Sequence, residues 1–155
     1  MSACATRYRI RTMLEMDLPN PPNLQDIYAT LRTIDNLPDN WDSYGAPAPN
    51  PLHTSMVWQL VMDVATRFIN LVDHQISLPR HIAPYHGGIG LEWGMDPTPF
   101  RNALEVDYSG TNQWGYLRIA TNPNGKRTYK ESEDLNYEEI LEVVTQYVKD
   151  QLDAH

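Results

Sequence analysis

The second half of the chain has a hydrophobic pattern with a period of two residues, which restricts the possible folds more than any other feature. In the stretch 88–93 the pattern places Ile89, Leu91 and Trp93 on one side, and the stretch 103–109 repeats it with three apolar residues of its own. A period of two indicates a strand with one buried and one solvent-facing side. We therefore expect two amphipathic strands here.

The same alternation continues further along the chain. The stretch 116–120 extends it, the sequence around Gly125 is typical of a hairpin turn, and 127–131 has the composition of an edge strand. Together these stretches predict an antiparallel β-meander of four to five strands with one apolar face. On the opposite face we expect Glu105 and Asp107 to point outward.

Two asparagines mark the starts of helices on either side of this region. Asn23 is the predicted N-cap of a short amphipathic helix that ends near Asn36. Asn136 is the predicted cap of the last helix, and Glu139, three residues later, completes a capping box. Helices packed on one face of an antiparallel sheet make a two-layer α+β domain, and we expect residues 1–155 to form one such domain.

A third helix is predicted from Pro51 to about Val72, because proline takes the first helical position after the capping residue Asn50. Its apolar residues recur at helical steps and predict a wide buried stripe, made of Leu52, Met56, Val57, Leu60, Val61, Val64, Phe68 and Ile69. Trp58 lies outside this stripe. The helix is therefore expected to be covered on more than one side, either by another element or by a partner.

The N-terminus is basic and also alternates. Arg7, Arg9 and Arg11 are separated by less polar residues, which predicts a short strand, and a proline-rich spacer follows. Residues 1–22 are thus expected to form a basic strand arm with its spacer. The arginines have two interpretations: a solvated outer face, or an edge strand that pairs with a partner.

Charge and cysteine content restrict the environment and the partners. Outside residues 1–12 the chain holds 9 basic and 20 acidic groups, so it is expected to repel nucleic-acid phosphates and to suit a basic protein partner. The single cysteine, Cys4, cannot form an internal disulfide, and no apolar stretch is long enough for a signal segment or a membrane span. We expect a cytoplasmic protein with neither nucleic acid nor membrane as its main partner.

The stretch NWDSYGAPAPNP, residues 40–51, carries two large aromatic rings among turn-forming residues. Trp41 and Tyr44 could pack over the end of the sheet as a structural lock, with Asp42 accepting backbone hydrogen bonds and Gly45 in a conformation that other residues resist. Alternatively the rings form a contact surface, because tryptophan and tyrosine are enriched at the centres of interfaces. The lock is the favoured interpretation.

Two short motifs resemble a pattern found in scattered small bacterial proteins of unassigned function. The loop motif WDSYGA precedes a proline-initiated helix, and a glycine-rich turn later leads into the strand GIGLEW. The resemblance covers roughly residues 37–93. His86 stands where the pattern has an aspartate, and the stretch GMDPTPFRN resembles an insertion. The resemblance implies a cytoplasmic bacterial α+β protein and assigns no catalytic residue.

Histidines provide the candidate site for catalysis. His81 and His86 flank a predicted turn and Glu92 lies on the next strand, so the three could form a metal-dependent or histidine-dependent hydrolytic site. Their spacing matches no metal-binding motif. Gly87 and Gly88 precede a strand instead of a helix, which argues against a dinucleotide-binding turn. We expect no cofactor, no metal ligand and no catalytic residue.

The sequence therefore favours a non-catalytic protein-binding or accessory subunit of a bacterial multiprotein system, such as an antitoxin-like or immunity-like protein. The predicted contact residues are Trp41, Tyr44, Trp58, Glu138, Glu142, Arg7, Arg9 and Arg11. Two alternatives stay open. One is the hydrolase, and the other is a self-assembling structural protein, a homo-oligomer in which the N-terminal strand completes the sheet of a neighbouring copy.

Overall fold

The computed structural model of the chain describes residues 16–19, 21–69, 76–85, 87–94 and 102–153. The elements in these ranges follow one another as β1 (Met16–Asp17), α1 (Leu24–Asp35), α2 (Pro51–Arg67), β2 (His81–Tyr85), β3 (Gly88–Trp93), β4 (Asn102–Tyr108), β5 (Trp114–Thr121), β6 (Arg127–Leu135) and α3 (Tyr137–Asp153). Strands and helices of this order form an α+β domain, so the predicted fold class is confirmed.

The sheet is a meander in which the strand order equals the sequence order and every neighbouring pair is antiparallel. Strands β3 to β6 are the four predicted strands of the meander. Strand β2 lies where a turn between His81 and His86 was predicted, and that prediction is wrong, because His81–Tyr85 pairs along β3. The two-residue β1 adds a sixth strand at the β2 edge, with Met16 opposite Ile82. The turn between β5 and β6 is the predicted hairpin: Asn122 donates its N–H to the carbonyl of Lys126 at 2.9 Å, and Gly125 has a φ of +80°.

The three helices cover one face of the sheet. Helix α1 contacts β2, α2 contacts β3 and α3 contacts β5. The alternating residues of the strands, such as Ile89, Leu91 and Val106, are fully buried against the apolar stripes of these helices. This layer is the core of the domain, as the period of two predicts, because each strand turns every second side chain towards the helices.

All three predicted asparagine caps are confirmed. Asn23, Asn50 and Asn136 each accept a hydrogen bond from a backbone N–H in the first turn of the helix that follows, at 2.8–2.9 Å. Glu139 completes the capping box of α3, since its carboxylate accepts the N–H of Asn136 at 3.1 Å. The helix starts are therefore encoded locally.

Two details of α2 differ from the prediction. The helix ends at Arg67, well before Val72, and Phe68 caps it. Leu52 and Ile69 are exposed, although both were expected in the buried stripe. The buried stripe is narrower than predicted, and Leu52 lies on another side of the helix while Ile69 follows its end.

The face of the sheet without helices also differs from the prediction. Glu105 and Asp107 do alternate with the core residues, but they are only 3% and 9% exposed, and Glu92 beside them is 2% exposed. The expectation that these acids face solvent is wrong. They lie on β3 and β4, the central strands, and both faces of these strands are withdrawn from solvent. The edge strand β6 is instead largely exposed.

Candidate functional site

The loop between α1 and α2 is built from tight turns. Asn40, Ser43 and Gly45 have φ values of +60°, +64° and +85°. Glycine adopts this left-handed region without strain and asparagine tolerates it, whereas serine does so at a cost. The loop therefore needs other interactions to hold this path.

Side chains of the loop supply those interactions. The carboxylate of Asp42 accepts the N–H groups of Tyr44 and Ala46 at 2.9 and 3.0 Å, as predicted for this aspartate. The side-chain oxygen of Asn40 accepts the N–H of Gly45 at 2.7 Å. Because these bonds satisfy backbone groups that no strand or helix could reach, the loop is held in one conformation.

The two aromatic rings of the loop have different environments. Trp41 is half-buried, and its indole N–H donates to the carbonyl of Pro47 at 3.0 Å. Tyr44 is 78% exposed. The sequence left two interpretations open for both rings, a structural lock and a contact surface. Trp41 is positioned as the lock, while Tyr44 is displayed on the surface.

Trp41 borders a groove that joins the two motifs of the sequence. This aromatic groove has a volume of about 130 Å³ and lies between the loop and the turn that connects β2 to β3. Its lining residues are Trp41, Pro47, Ala48, Pro49, Asn50, His53, Tyr85, Gly87 and Gly88. The loop motif and the glycine-rich turn, which are some 40 residues apart in the sequence, therefore form one surface.

Tyr85 is held at this groove by the glycine opposite it. Gly88 is its cross-strand partner, and a Cβ on Gly88 would lie 2.8 Å from the Tyr85 hydroxyl oxygen and 2.0 Å from the carbonyl oxygen of Tyr108. The Tyr85 hydroxyl donates to that same carbonyl at 3.1 Å. The ring of His53 packs edge-on against the ring of Tyr108 at 5.4 Å. The absence of a side chain at Gly88 is thus a condition for this arrangement.

A second cavity adjoins Tyr85 and is rich in carboxylates. This acidic pocket has a volume of about 180 Å³. Its lining residues are Tyr85, Asp107, Ser109, Gln113, Trp114, Gly115, Glu133 and Asp134. Three of these eight residues are acidic, and no lysine or arginine is among them.

A β-bulge places two of these acids. Trp114 pairs with Leu135 and Tyr116 pairs with Ser132, so a single residue of β5, Gly115, faces two residues of β6. Those two residues are Glu133 and Asp134, and Asp134 has a φ of +60°. A bulge changes the direction of the side chains that follow the regular alternation. It thereby brings both carboxylates to the same cavity.

The remaining predicted contact residues lie elsewhere. Trp58 packs edge-on against Tyr28 with ring centroids 5.5 Å apart, in a separate groove between α1 and α2. The carboxylate of Glu142 accepts a hydrogen bond from Arg67 at 2.7 Å, and Glu138 is exposed on the first turn of α3. Trp41 and Trp58 therefore line different grooves. The structure does not describe Arg7, Arg9 and Arg11.

The histidine site is described only in part. His81 and Glu92 are opposite each other on β2 and β3, so two of its three predicted members are neighbours. His86 lies outside the described residues. Among the residues that are described, no group of three or more histidine, cysteine, aspartate or glutamate side chains could hold a metal ion.

Several residues of the two cavities were not predicted from the sequence. His53, Tyr85, Glu133 and Asp134 were not among the predicted contact residues, and Tyr85 falls in the stretch 81–86 for which a turn was predicted. The stretch PYHGG offered a usable signal, because a tyrosine three residues before a glycine in a tight hairpin can lie across it.

No helix in the described part of the chain is long and apolar enough to cross a membrane. Comparisons with protein-family models, curated proteins and solved structures found no match to this chain.

Proposed function

We propose that the protein is a non-catalytic binding protein, an accessory subunit of a bacterial multiprotein system of the antitoxin-like or immunity-like kind. It contacts a protein partner through the loop surface, which consists of residues 39–52 and the aromatic groove beside them. The observation that carries this proposal is the exposure of Tyr44, 78%, on a loop whose backbone is fixed by its own side chains.

A rigid loop favours binding because little conformational entropy is lost when a partner docks. Tyrosine suits such a position, since it buries a large ring at a small entropic cost and is enriched among the residues that dominate interface energies. Leu52, in the first turn of the helix that this loop leads into, is 71% exposed and adds a second apolar side chain.

The charge of the chain supports a basic partner for the complex, which we propose to form in the cytoplasm. Outside its first twelve residues the protein carries 20 acidic and 9 basic groups. Such a surface attracts a basic protein over distances of about one Debye length, roughly 8–10 Å at physiological salt. It repels nucleic acids for the same reason.

Site-specific photocrosslinking in the source cell tests this proposal. A photoreactive phenylalanine derivative replaces Tyr44 in one variant and Tyr129 in the control, because Tyr129 is also exposed, at 60%, but lies on β6. We expect a discrete crosslinked protein species from position 44 and none from position 129.

Two results would contradict the proposal. One is equal crosslinking from both positions, which would indicate random collisions. The other is an absence of crosslinks from position 44 together with elution of the native protein as a lone monomer from cell extract. The variant Tyr44→Ser provides a further check, since it should abolish co-elution with the partner without changing the thermal midpoint.

A further inference from the structure

The aromatic groove and the acidic pocket share one residue, Tyr85, which lines both. Its hydroxyl is fixed by the hydrogen bond to the Tyr108 carbonyl at 3.1 Å. Because the ring lies across Gly88, it cannot turn away without losing both that bond and its packing. Two cavities of different chemistry therefore adjoin one fixed aromatic ring.

We infer that the two cavities form one docking site for an extended segment of a basic partner protein. An apolar side chain of the segment enters the aromatic groove, and a lysine or arginine two residues away reaches the acidic pocket. This inference rests on the proposed protein-binding function and specifies the kind of partner.

The linings of the cavities determine the class of each side chain. Trp41, Pro47, Pro49 and the ring of Tyr85 give the groove an apolar wall, and its polar side chains include those of Asn50 and His53. The acidic pocket offers the carboxylates of Glu133 and Asp134, which are exposed, beside the nearly buried Asp107. A cationic side chain complements that set, and arginine can bind a carboxylate with two parallel hydrogen bonds.

The spacing of the two side chains follows from the geometry of an extended chain. Alternate residues of a strand project to the same side and are about 7 Å apart. Two such side chains can straddle a single aromatic ring, here that of Tyr85. Neighbouring residues point to opposite sides, so adjacent apolar and basic residues could not enter both cavities together.

A second copy of this chain is a poorer occupant. Outside its first twelve residues a second copy carries the same 20 acidic and 9 basic groups, so it would be repelled by the carboxylates of the acidic pocket. The charge of the pocket therefore favours a different, basic protein.

Titration of the full-length protein with two matched peptides tests the inference. The probes are the acetylated peptides glycine–leucine–glycine–arginine–glycine and glycine–leucine–glycine–glutamate–glycine, followed by nitrogen-15 amide spectra. We expect the arginine peptide to shift the amides of Gly87, Gly88, Glu133 and Asp134 together, with one dissociation constant. The glutamate peptide should leave all four unchanged.

A charge variant and a matched control separate local from general electrostatics. Glu133→Gln with Asp134→Asn removes two charges from the pocket, and asparagine also accepts the left-handed backbone at 134. This double substitution should raise the dissociation constant of the arginine peptide roughly fivefold. The control, Glu131→Gln with Asp153→Asn, removes two charges outside both cavities and should leave the affinity within about 1.5-fold of the parent.

The outcomes also separate this inference from the proposed function. Equal shifts from both peptides, equal weakening by the variant and its control, or no shift from either peptide would each overturn the two-part site. Crosslinking from position 44 would then still support a partner on the loop. Loss of crosslinking from position 44 while the peptide results hold would instead refute the loop surface and leave the two cavities as the binding site.

Discussion

Tyr85 lies across Gly88, its cross-strand partner, so closely that a Cβ on Gly88 would be 2.8 Å from the tyrosine hydroxyl oxygen. A single hydrogen atom in place of a side chain therefore determines where the ring between the two cavities sits. This relationship links the folding of the sheet to the shape of the binding surface.

Gly88→Ala should destabilise the protein strongly. The new methyl group would lie 2.0 Å from the carbonyl oxygen of Tyr108, a backbone atom that can move only with its strand. We expect a loss of roughly 3 kcal/mol in the free energy of unfolding, measured by urea denaturation. Gly115→Ala is the control, since its Cβ would meet backbone only at 3.3 Å. Similar losses in both variants would contradict the argument.

Asp42→Ala should destabilise the loop, because it removes the acceptor of two backbone hydrogen bonds. The expected loss is roughly 1–3 kcal/mol, with faster hydrogen exchange at the amides of Tyr44 and Ala46. Tyr44→Ser, at an exposed position in the same loop, should change stability by less than about 0.5 kcal/mol. If Asp42→Ala proves neutral, the loop is held by something other than its own side chains.

Tyr147 should make the protein sensitive to alkali. Burial raises the pKa of its hydroxyl from 10.0 to about 12, although the charge of Arg118 opposes this shift. Since the folded-state pKa is raised, the contribution is complete below pH 10 and is lost as pH rises towards 12. The free energy of unfolding should fall by about 1.4 kcal/mol per pH unit from this group in that interval.

Tyr147→Phe provides the measurement. It removes the ionisable group, so the free energy of unfolding should fall less steeply between pH 10 and 11.5, by the roughly 1.4 kcal/mol per pH unit that one proton contributes. At neutral pH the variant should be about 1 kcal/mol less stable, because it loses the hydrogen bond to the Asn102 carbonyl. Tyr137, whose pKa is also raised by burial and by its hydrogen bond to Asp63, keeps its own contribution in both proteins. An unchanged slope would mean that Tyr147 does not titrate in this range.

Asp150 should act in the opposite direction at low pH. Its burial alone would raise the pKa of the carboxyl, but hydrogen bonds from Arg118 and Gln146 outweigh that effect, so the pKa lies below its ordinary value of 3.8. The stabilisation is therefore complete above about pH 4 and is lost as the pH falls further. Asp150→Asn should cost about 0.5 kcal/mol or less at pH 7 and nothing at pH 2, because the pair is partly exposed. A constant cost at both values would contradict this ion pair.

Much of the fold could be predicted because its signals are local. The alternation around Ile89 and Leu91 and the asparagine caps each depend on residues a few positions apart, and the structure confirms them. The burial of Glu105, which was expected to face solvent, could not be predicted in this way. Whether a strand is central or at an edge depends on how many strands pair on each side of it, and alternation does not carry that information.

The candidate site was predicted only in part, for a similar reason. The aromatic loop and its Asp42 interactions were visible because the turn residues are contiguous. The meeting of this loop with Tyr85 depends on the packing of α2 against the sheet, and the clustering of Glu133 with Asp107 depends on a bulge. An aspartate with a left-handed backbone at a bulge does not change the hydrophobic period of the sequence. The contacts that depend on it could therefore not be predicted from the sequence pattern.

The hairpin turn between Asn122 and Lys126 lies at the end of β5 and β6 away from the acidic pocket, about 20 Å along the strands. Hydrogen bonds within the tip hold it, since the side-chain oxygen of Asn122 accepts the N–H groups of Asn124 and Lys126. A fluorescent reporter or an affinity handle spliced into this tip would leave both chain ends untouched and both cavities open. The molecule thus provides its own attachment point for following complexes in living cells.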